Sequence, residues 1–230
     1  MSDTVPSKRG VADPVEQSVA FLLAVRRDEP TEEMAATLSC LDSEALAAAL
    51  DTDGARVAFW TNIYNAATQR ALAEDPGQYE SRRTFFSTPL VTVAGRALSL
   101  DEIEHGILRR SHSMFTLGFV RTPGPLRDGF VDTHAPAERD PRVHFALNCA
   151  ADSCPPIAAY TREEIDAQLD LATRGYLDRQ VDYDPDAVSP VGGPRDAGRA
   201  LGPRVVPSFR GGFGGRHGVV AMPRRPDQLP

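Results

Sequence analysis

Apolar positions recur at helical spacing through the first third of the chain. Asp13-Pro14 opens a stretch with apolar residues from Val15 to Val25, with proline at a first-turn position that suits a helix start. Asp28-Glu29-Pro30 breaks it. Thr31 begins a second helix with Glu32 and Glu33 in its first turn, and Asp42 or Ser43 caps a third that runs to Leu50. Beyond Gly54, the pattern predicts a longer helix from Ala55 to about Ala73, ended by Asp75-Pro76-Gly77.

The texture then changes. Val91-Thr92-Val93 and Ala97-Leu98-Ser99-Leu100 flank Ala94-Gly95-Arg96, which predicts two short strands around a tight turn. Ser99 caps a helix of about ten residues ending near Arg110. The stretch 122–142 is loop-like, Val143–Cys149 has the pattern of a strand, and 150–156 is a loop closed by Pro155-Pro156. Thr161 with Glu164 forms a capping box for a helix to Arg179, and 181–183 suits another short strand. From Ser189 onward the chain is rich in glycine, proline and arginine without periodicity, the composition of an irregular wrap.

Composition narrows the class. The chain has 230 residues, 41% hydrophobic and 25% charged, an ordinary globular balance. Three cysteines cannot build a disulfide framework. The apolar run Val19–Val25 is far shorter than the roughly 20 residues a bilayer requires, and the N-terminal residues lack an apolar signal core, so a cytoplasmic protein without a membrane span is expected.

Charge is unevenly spread. Residues 1–189 carry a balance of −12 and residues 190–230 one of +5, for a net −7. Lys8 is the only lysine beside 24 arginines, and aspartate outnumbers glutamate 20 to 12. Acid excess with lysine nearly absent suits a protein kept hydrated at high salt; a GC-rich genome would explain the arginines but less of the aspartates. An acidic body repels phosphate backbones, so no nucleic-acid partner is expected.

Three segments carry residues suited to chemistry. In the helix over 55–73, apolar residues cover most of the circumference, which predicts burial. Asn62, Asn65 and Gln69 nevertheless form one polar line at i, i+3 and i+7, flanked by Thr61 and Thr68. Buried amides need partners, because an unpaired one costs on the order of 1–3 kcal/mol. They either bind the backbone of a neighbouring loop or line a polar cleft.

The second segment is Ser99–Arg109. At α-helical spacing, Glu102, His105 and Arg109 share the side opposite Ile103 and Ile107. A histidine between a carboxylate and a guanidinium is either an oriented base or a structural hydrogen-bonder.

The third is His144-Phe145-Ala146-Leu147-Asn148-Cys149-Ala150-Ala151-Asp152-Ser153-Cys154-Pro155-Pro156, a predicted strand that delivers its end into a polar loop. Strand parity turns Cys149 away from His144, so His144 either pairs with Cys149 across a bulge or serves a thiol that reaches back, such as Cys154. A buried cysteine is ordinarily a small hydrophobe, and a nucleophilic one needs a lowered pKa. His144, Cys149 and Cys154 offer three zinc ligands, but their spacing lacks the tight hairpin of common zinc sites, so no metal or cofactor is expected. A Cys149–Cys154 disulfide is disfavoured in a reducing cytosol.

At AFWTNIYNA (58–66), LSLDEIEHGILR (98–109) and HFALNCAADSCPP (144–156), the chain resembles the domain-of-unknown-function 547 family, in order and in spacing, and suggests a haloarchaeal member. The resemblance covers about residues 50–183 and implies a site, not an activity. The family pattern keeps the first cysteine of the loop where the second can be serine, which favours Cys149 against the parity argument. It also ends in an Asp-Phe-Gly segment, whereas here Gly212 stands where the acid would be.

The expected fold is α+β: a helix-rich N-terminal half packed on a small, mostly antiparallel sheet built from Val91–Leu100, Val143–Cys149 and later strands. It has a papain-like or transglutaminase-like flavour by analogy only. A single domain over 12–222 is expected, with 1–11 and 223–230 as flexible termini and 189–215 as an atypical stretch. Two functions fit. One is a thiol-dependent hydrolase or acyltransferase, with Cys149 or Cys154 as nucleophile, His105 or His144 as base, and Asn62 or Asn65 as orienter or oxyanion donor. The other is a non-catalytic module that binds a small molecule or peptide in a cleft lined by Asn62, Asn65, Gln69, Glu102 and Arg109.

Overall fold

A computed structural model of the protein describes residues 13–111, 128–148, 157–182 and 208–209. Helix α1 (Pro14–Arg26) begins where the Asp13 carboxylate accepts the Val15 N–H, α2 covers Glu32–Ser39, and α3 (Ser43–Ala49) is capped by the Asp42 side chain. Helix α4 (Asp53–Glu74) begins where the Thr52 hydroxyl accepts the Ala55 N–H. Fifteen of its 22 residues are buried, Trp60, Ile63 and Tyr64 completely. Each such side chain contributes roughly 1.5–3 kcal/mol on burial, so α4 is the spine of the hydrophobic core. Helix α1 packs along it.

A short 3₁₀ turn (Pro76–Glu80) and α5 (Arg82–Ser87) lead to β1 (Pro89–Val93) and β2 (Arg96–Ser99), an antiparallel hairpin in which Val93 pairs with Arg96. Ala94 and Gly95 both take positive φ, 49° and 73°, the two-residue turn whose twist matches its strands. The turn docks on the end of α2, where the Ala94 and Gly95 N–H groups donate to the Leu38 and Ser39 carbonyls. Strand β3 (Val181–Asp182) pairs antiparallel with β4 (Ser208–Phe209). The architecture is therefore α+β: many helices with small antiparallel strand pairs.

The segments that follow β2 differ from the sequence-based expectation. The chain over 102–108 (Glu102–Leu108) is wound as a π-helix. The expected loop over 122–142 contains helix α6 (Gly129–His134) among its described residues, and Pro141–Phe145 forms a 3₁₀ turn. In both cases an aspartate that resembled a loop residue is an N-cap. Asp128 accepts the Phe130 and Val131 N–H groups, and Asp140 accepts that of Arg142.

The described part of the expected strand Val143–Cys149 is not a strand. Val143, Ala146 and Leu147 are buried, a spacing of three and four that belongs to a helical turn, and the parity argument against Cys149 lapses with it. Helix α7 (Ile165–Gln180) starts later than the Thr161/Glu164 box predicts. Gln168 in its first turns ties down the chain that leads in: its Oε1 accepts the Thr161 N–H at 3.0 Å and its Nε2 donates to the Ala159 carbonyl at 3.0 Å. Gly54 permits α7 to approach α4, since a Cβ there would lie 3.0 Å from the Ile165 side chain. No helix among the described residues is long and apolar enough to cross a membrane.

Candidate functional site

The polar line on α4 grips backbone. Asn62 is fully buried; its Nδ2 donates to the Tyr160 carbonyl at 2.8 Å and to the Ser18 hydroxyl at 3.0 Å, and its Oδ1 accepts the Tyr160 N–H at 2.9 Å. One turn on, Asn65 is equally buried. It donates to the Ala146 carbonyl at 3.1 Å and accepts the Asn148 N–H at 2.8 Å. Asn65 thus holds the chain immediately before the cysteine-bearing segment, and Asn62 holds it shortly after. The two ends are fixed one helical turn apart. Cys149 and Cys154 themselves lie outside the described residues, as does Gly212.

Gln69 continues the line but does not share this task. Its Nε2 is buried with no hydrogen-bond partner among the described residues, and the same holds for the Thr61 hydroxyl. Thr68 donates to the Tyr64 carbonyl within α4.

The segment after β2 turns a second set of side chains toward His144. Ser99 and Glu102 form a reciprocal capping box: the Glu102 N–H donates to Ser99 Oγ, and Glu102 Oε2 accepts the Ser99 N–H at 2.9 Å. Glu102 also pairs with Arg96 at 3.1 Å. Burial opposes its ionisation, yet the bonds from Ser99 and Arg96 outweigh that and hold the carboxyl below the ordinary glutamate range. Glu102 is therefore committed to the helix start and does not join His105 and Arg109 on one face.

The acid beside Arg109 is Glu104. Within the π-helix the Arg109 N–H donates to the Glu104 carbonyl, five residues back, which sets the two side chains together. Arg109 Nη2 lies 2.9 Å from Glu104 Oε1 and 3.0 Å from His144 Nδ1. The Tyr64 hydroxyl donates to the other carboxylate oxygen at 3.4 Å. An α-helical reading of the sequence missed Glu104 because it assumed a repeat of 3.6 residues. Gly106, where a Cβ would come within 3.4 Å of Val131 on α6, was the available sign that this segment is not an ordinary surface helix.

His105 lies with its Nε2 3.8 Å from Asp101 Oδ1, while its Nδ1 is buried without a hydrogen-bond partner among the described residues. Burial raises the Asp101 carboxyl above its ordinary value, offset in part by His105 and reinforced by Glu104. His144 is held below the ordinary histidine range, first by lost hydration of the ring and then by the Arg109 guanidinium, with Glu104 acting in the opposite direction.

Three segments distant in sequence therefore meet: α4 through Tyr64 and Asn65, the π-helix through Glu104 and Arg109, and residues 144–148. The arrangement offers two imidazoles in different settings, a carboxylate–guanidinium pair and a fixed backbone leading into Cys149. Among the described residues no group of three or more His, Cys, Asp or Glu could hold a metal ion. Two clefts, of about 370 and 580 Å³, are lined by described residues between α2 and the hairpin and beside Asp53, Arg142 and Asp166, and neither takes in His105, Arg109 or His144.

No curated protein and no solved structure matches the chain. A family model does, over residues 49–177, which takes in α4, the π-helix and the segment following His144. With more than half its length matched, the chain belongs to the family described as Protein of unknown function, DUF547.

Proposed function

We propose that this chain is a thiol-dependent hydrolase or acyltransferase in which Cys149 is the nucleophile. The observation that carries the reading is the clamp on α4. Asn65 fixes the Asn148 N–H, one residue before Cys149, and Asn62 fixes the chain at Tyr160. Such a clamp holds a reacting group in a set position without touching substrate, the part a supporting residue plays in positioning catalysis. His105 or His144 supplies the base.

The chemistry is a two-step acyl transfer. The imidazole takes the thiol proton, the sulfur attacks the acyl carbon, and a C–S bond forms as the bond to the leaving alcohol or amine breaks. The leaving group departs with the proton. Water, or an acceptor hydroxyl or amine, then attacks the thioester, and the proton returns to sulfur. Cys154 is the alternative nucleophile.

A second reading is a non-catalytic module for a small ligand or peptide, in which the cysteines pack. One observation favours it: the Arg109 guanidinium donates to His144 Nδ1 and so occupies the one nitrogen lone pair that a neutral ring offers as a base. The rate of alkylation of Cys149 and Cys154 against pH separates the readings. Under the acyl-transfer reading, Cys149 reacts well below pH 8, and Cys149→Ser abolishes the low-pH phase. Thiols that react only near the unperturbed value of about 8.5 favour the binding module.

The acid excess with one lysine supports a salt-adapted, haloarchaeal protein, which we propose is cytoplasmic and folded as one domain over 12–222. Unfolding midpoints that rise steadily into molar potassium chloride are expected of it.

A further inference from the structure

We propose that Glu104 and Arg109 lock His144 as a neutral ring protonated on Nε2, which makes it a hydrogen-bond donor and leaves the base to His105. The assignment of the two catalytic roles rests on the acyl-transfer reading; the lock itself does not.

A guanidinium has only donors. With Arg109 Nη2 3.0 Å from His144 Nδ1, that nitrogen must accept, and the single proton of the neutral ring resides on Nε2. Protonating Nδ1 would set N–H against N–H and one cation against another. Glu104 Oε1 holds the same Nη2 at 2.9 Å, and Tyr64 steadies the carboxylate from α4. The charged and titratable groups facing His144 are Glu104 and His105 on the π-helix and Arg109 at its C-terminal end. The aromatic ring of Phe145 also lies edge-on to it, itself packed on Tyr176 of α7.

A ring held this way cannot take a proton from a thiol through Nε2, because that nitrogen already carries one. It can donate Nε2–H to an oxygen on which negative charge develops, as the acyl oxygen does during attack by sulfur. His105 is the reverse case. Its Nε2 faces the Asp101 carboxylate at 3.8 Å, and its buried Nδ1 meets no donor among the described residues.

The test uses the full chain labelled with ¹⁵N-histidine, with ring nitrogen protonation followed by two-bond ¹H–¹⁵N spectra across pH. His144→Gln identifies the His144 signals by their disappearance. Near neutral pH, His144 is expected to show a bare Nδ1 and a protonated Nε2, and to stay neutral below the ordinary histidine value of about 6.5. Arg109→Met moves its titration up, Arg109→Lys keeps the bare Nδ1, and Glu104→Gln moves the titration down, since the anion that offsets the guanidinium is gone. A wild-type ring protonated on Nδ1, or Arg109→Met and Glu104→Gln shifting the titration in the same direction, overturns the lock. If the lock is seen while Cys149 alkylates only above about pH 8, the lock stands and the acyl-transfer reading falls.

Discussion

Glu104 and Arg109 are five residues apart and form a 2.9 Å ion pair because the helix between them is π-wound. In an ordinary α-helix, neighbours on one face are three or four apart and these two would diverge. Local π-windings are rare and frequent at functional sites. Here the winding turns a carboxylate and a guanidinium together toward His144.

Asn65 should matter both to stability and to the thiol. Asn65→Ala removes the bonds to the Ala146 carbonyl and the Asn148 N–H, at a cost on the order of 2 kcal/mol. Asn62→Ala should destabilise comparably. Urea midpoints measure both losses, and the pH-rate profile of Cys149 alkylation should shift more for Asn65→Ala, whose bond lies next to that residue.

His134 should make the fold acid-sensitive. It is fully buried against Trp60 and Phe130, its Nε2 is 3.0 Å from the Ser43 hydroxyl, and burial followed by the nearby Arg56 charge lowers its pKa from 6.5 to about 4. The unfolded chain therefore binds the proton that the folded chain refuses. Stability is fully present above about pH 6.5 and declines as pH falls toward 4, by about 3 kcal/mol in all. Urea unfolding between pH 7 and 4 should show this slope in the wild type and lose that part of it in His134→Phe.

The Ser99–Glu102 box predicts a local loss. Ser99→Ala removes the hydroxyl that accepts the Glu102 N–H, for about 1 kcal/mol. Glu102→Gln keeps an acceptor for the Ser99 N–H but loses the charge facing Arg96. Thermal unfolding should show a lower midpoint for both.

Arg142 joins the turn after Asp140 to α7. It pairs with Asp140 at 2.7 Å, Asp166 at 2.6 Å and Asp170 at 2.6 Å. Burial raises the Asp140 carboxyl, but the Arg142 bonds dominate and hold it below the ordinary range. Arg142→Met should destabilise by about 1–2 kcal/mol at low ionic strength, less in molar salt where exposed pairs are screened. Carboxyl NMR should show the Asp140 titration rising in that variant.

Much of the frame was legible along the chain. The continuous apolar surface of residues 55–73 predicted a buried helix, and α4 is that helix. Alternation around Ala94-Gly95 predicted the hairpin, and Ser99 caps the helix start as expected, although its partner Glu102 was expected on the polar face instead. These features depend on groups a few residues apart, so side-chain chemistry and the two regular periods suffice to read them. The three segments carrying the family resemblance were also evident, because amides, imidazoles and thiols stand out against an apolar background.

Contacts across the chain decided the rest. Residues 143–148 alternate like a strand, yet the Asp140 carbonyl accepts the Val143 N–H, Asn65 takes up the Ala146 carbonyl and the Asn148 N–H, and no neighbouring strand pairs with the described part. Which acid meets Arg109 depended on a π-winding that no local repeat announces. His134 lay within a stretch that resembled loop, and its burial depends on Trp60 and Ser43, both more than 70 residues away in sequence. A side chain's surroundings are set by the elements that fold over it, so the sequence determined the N-terminal helices, α4 and the hairpin, and tertiary packing decided the winding of 102–108, the turns around His134 and His144, and the partners.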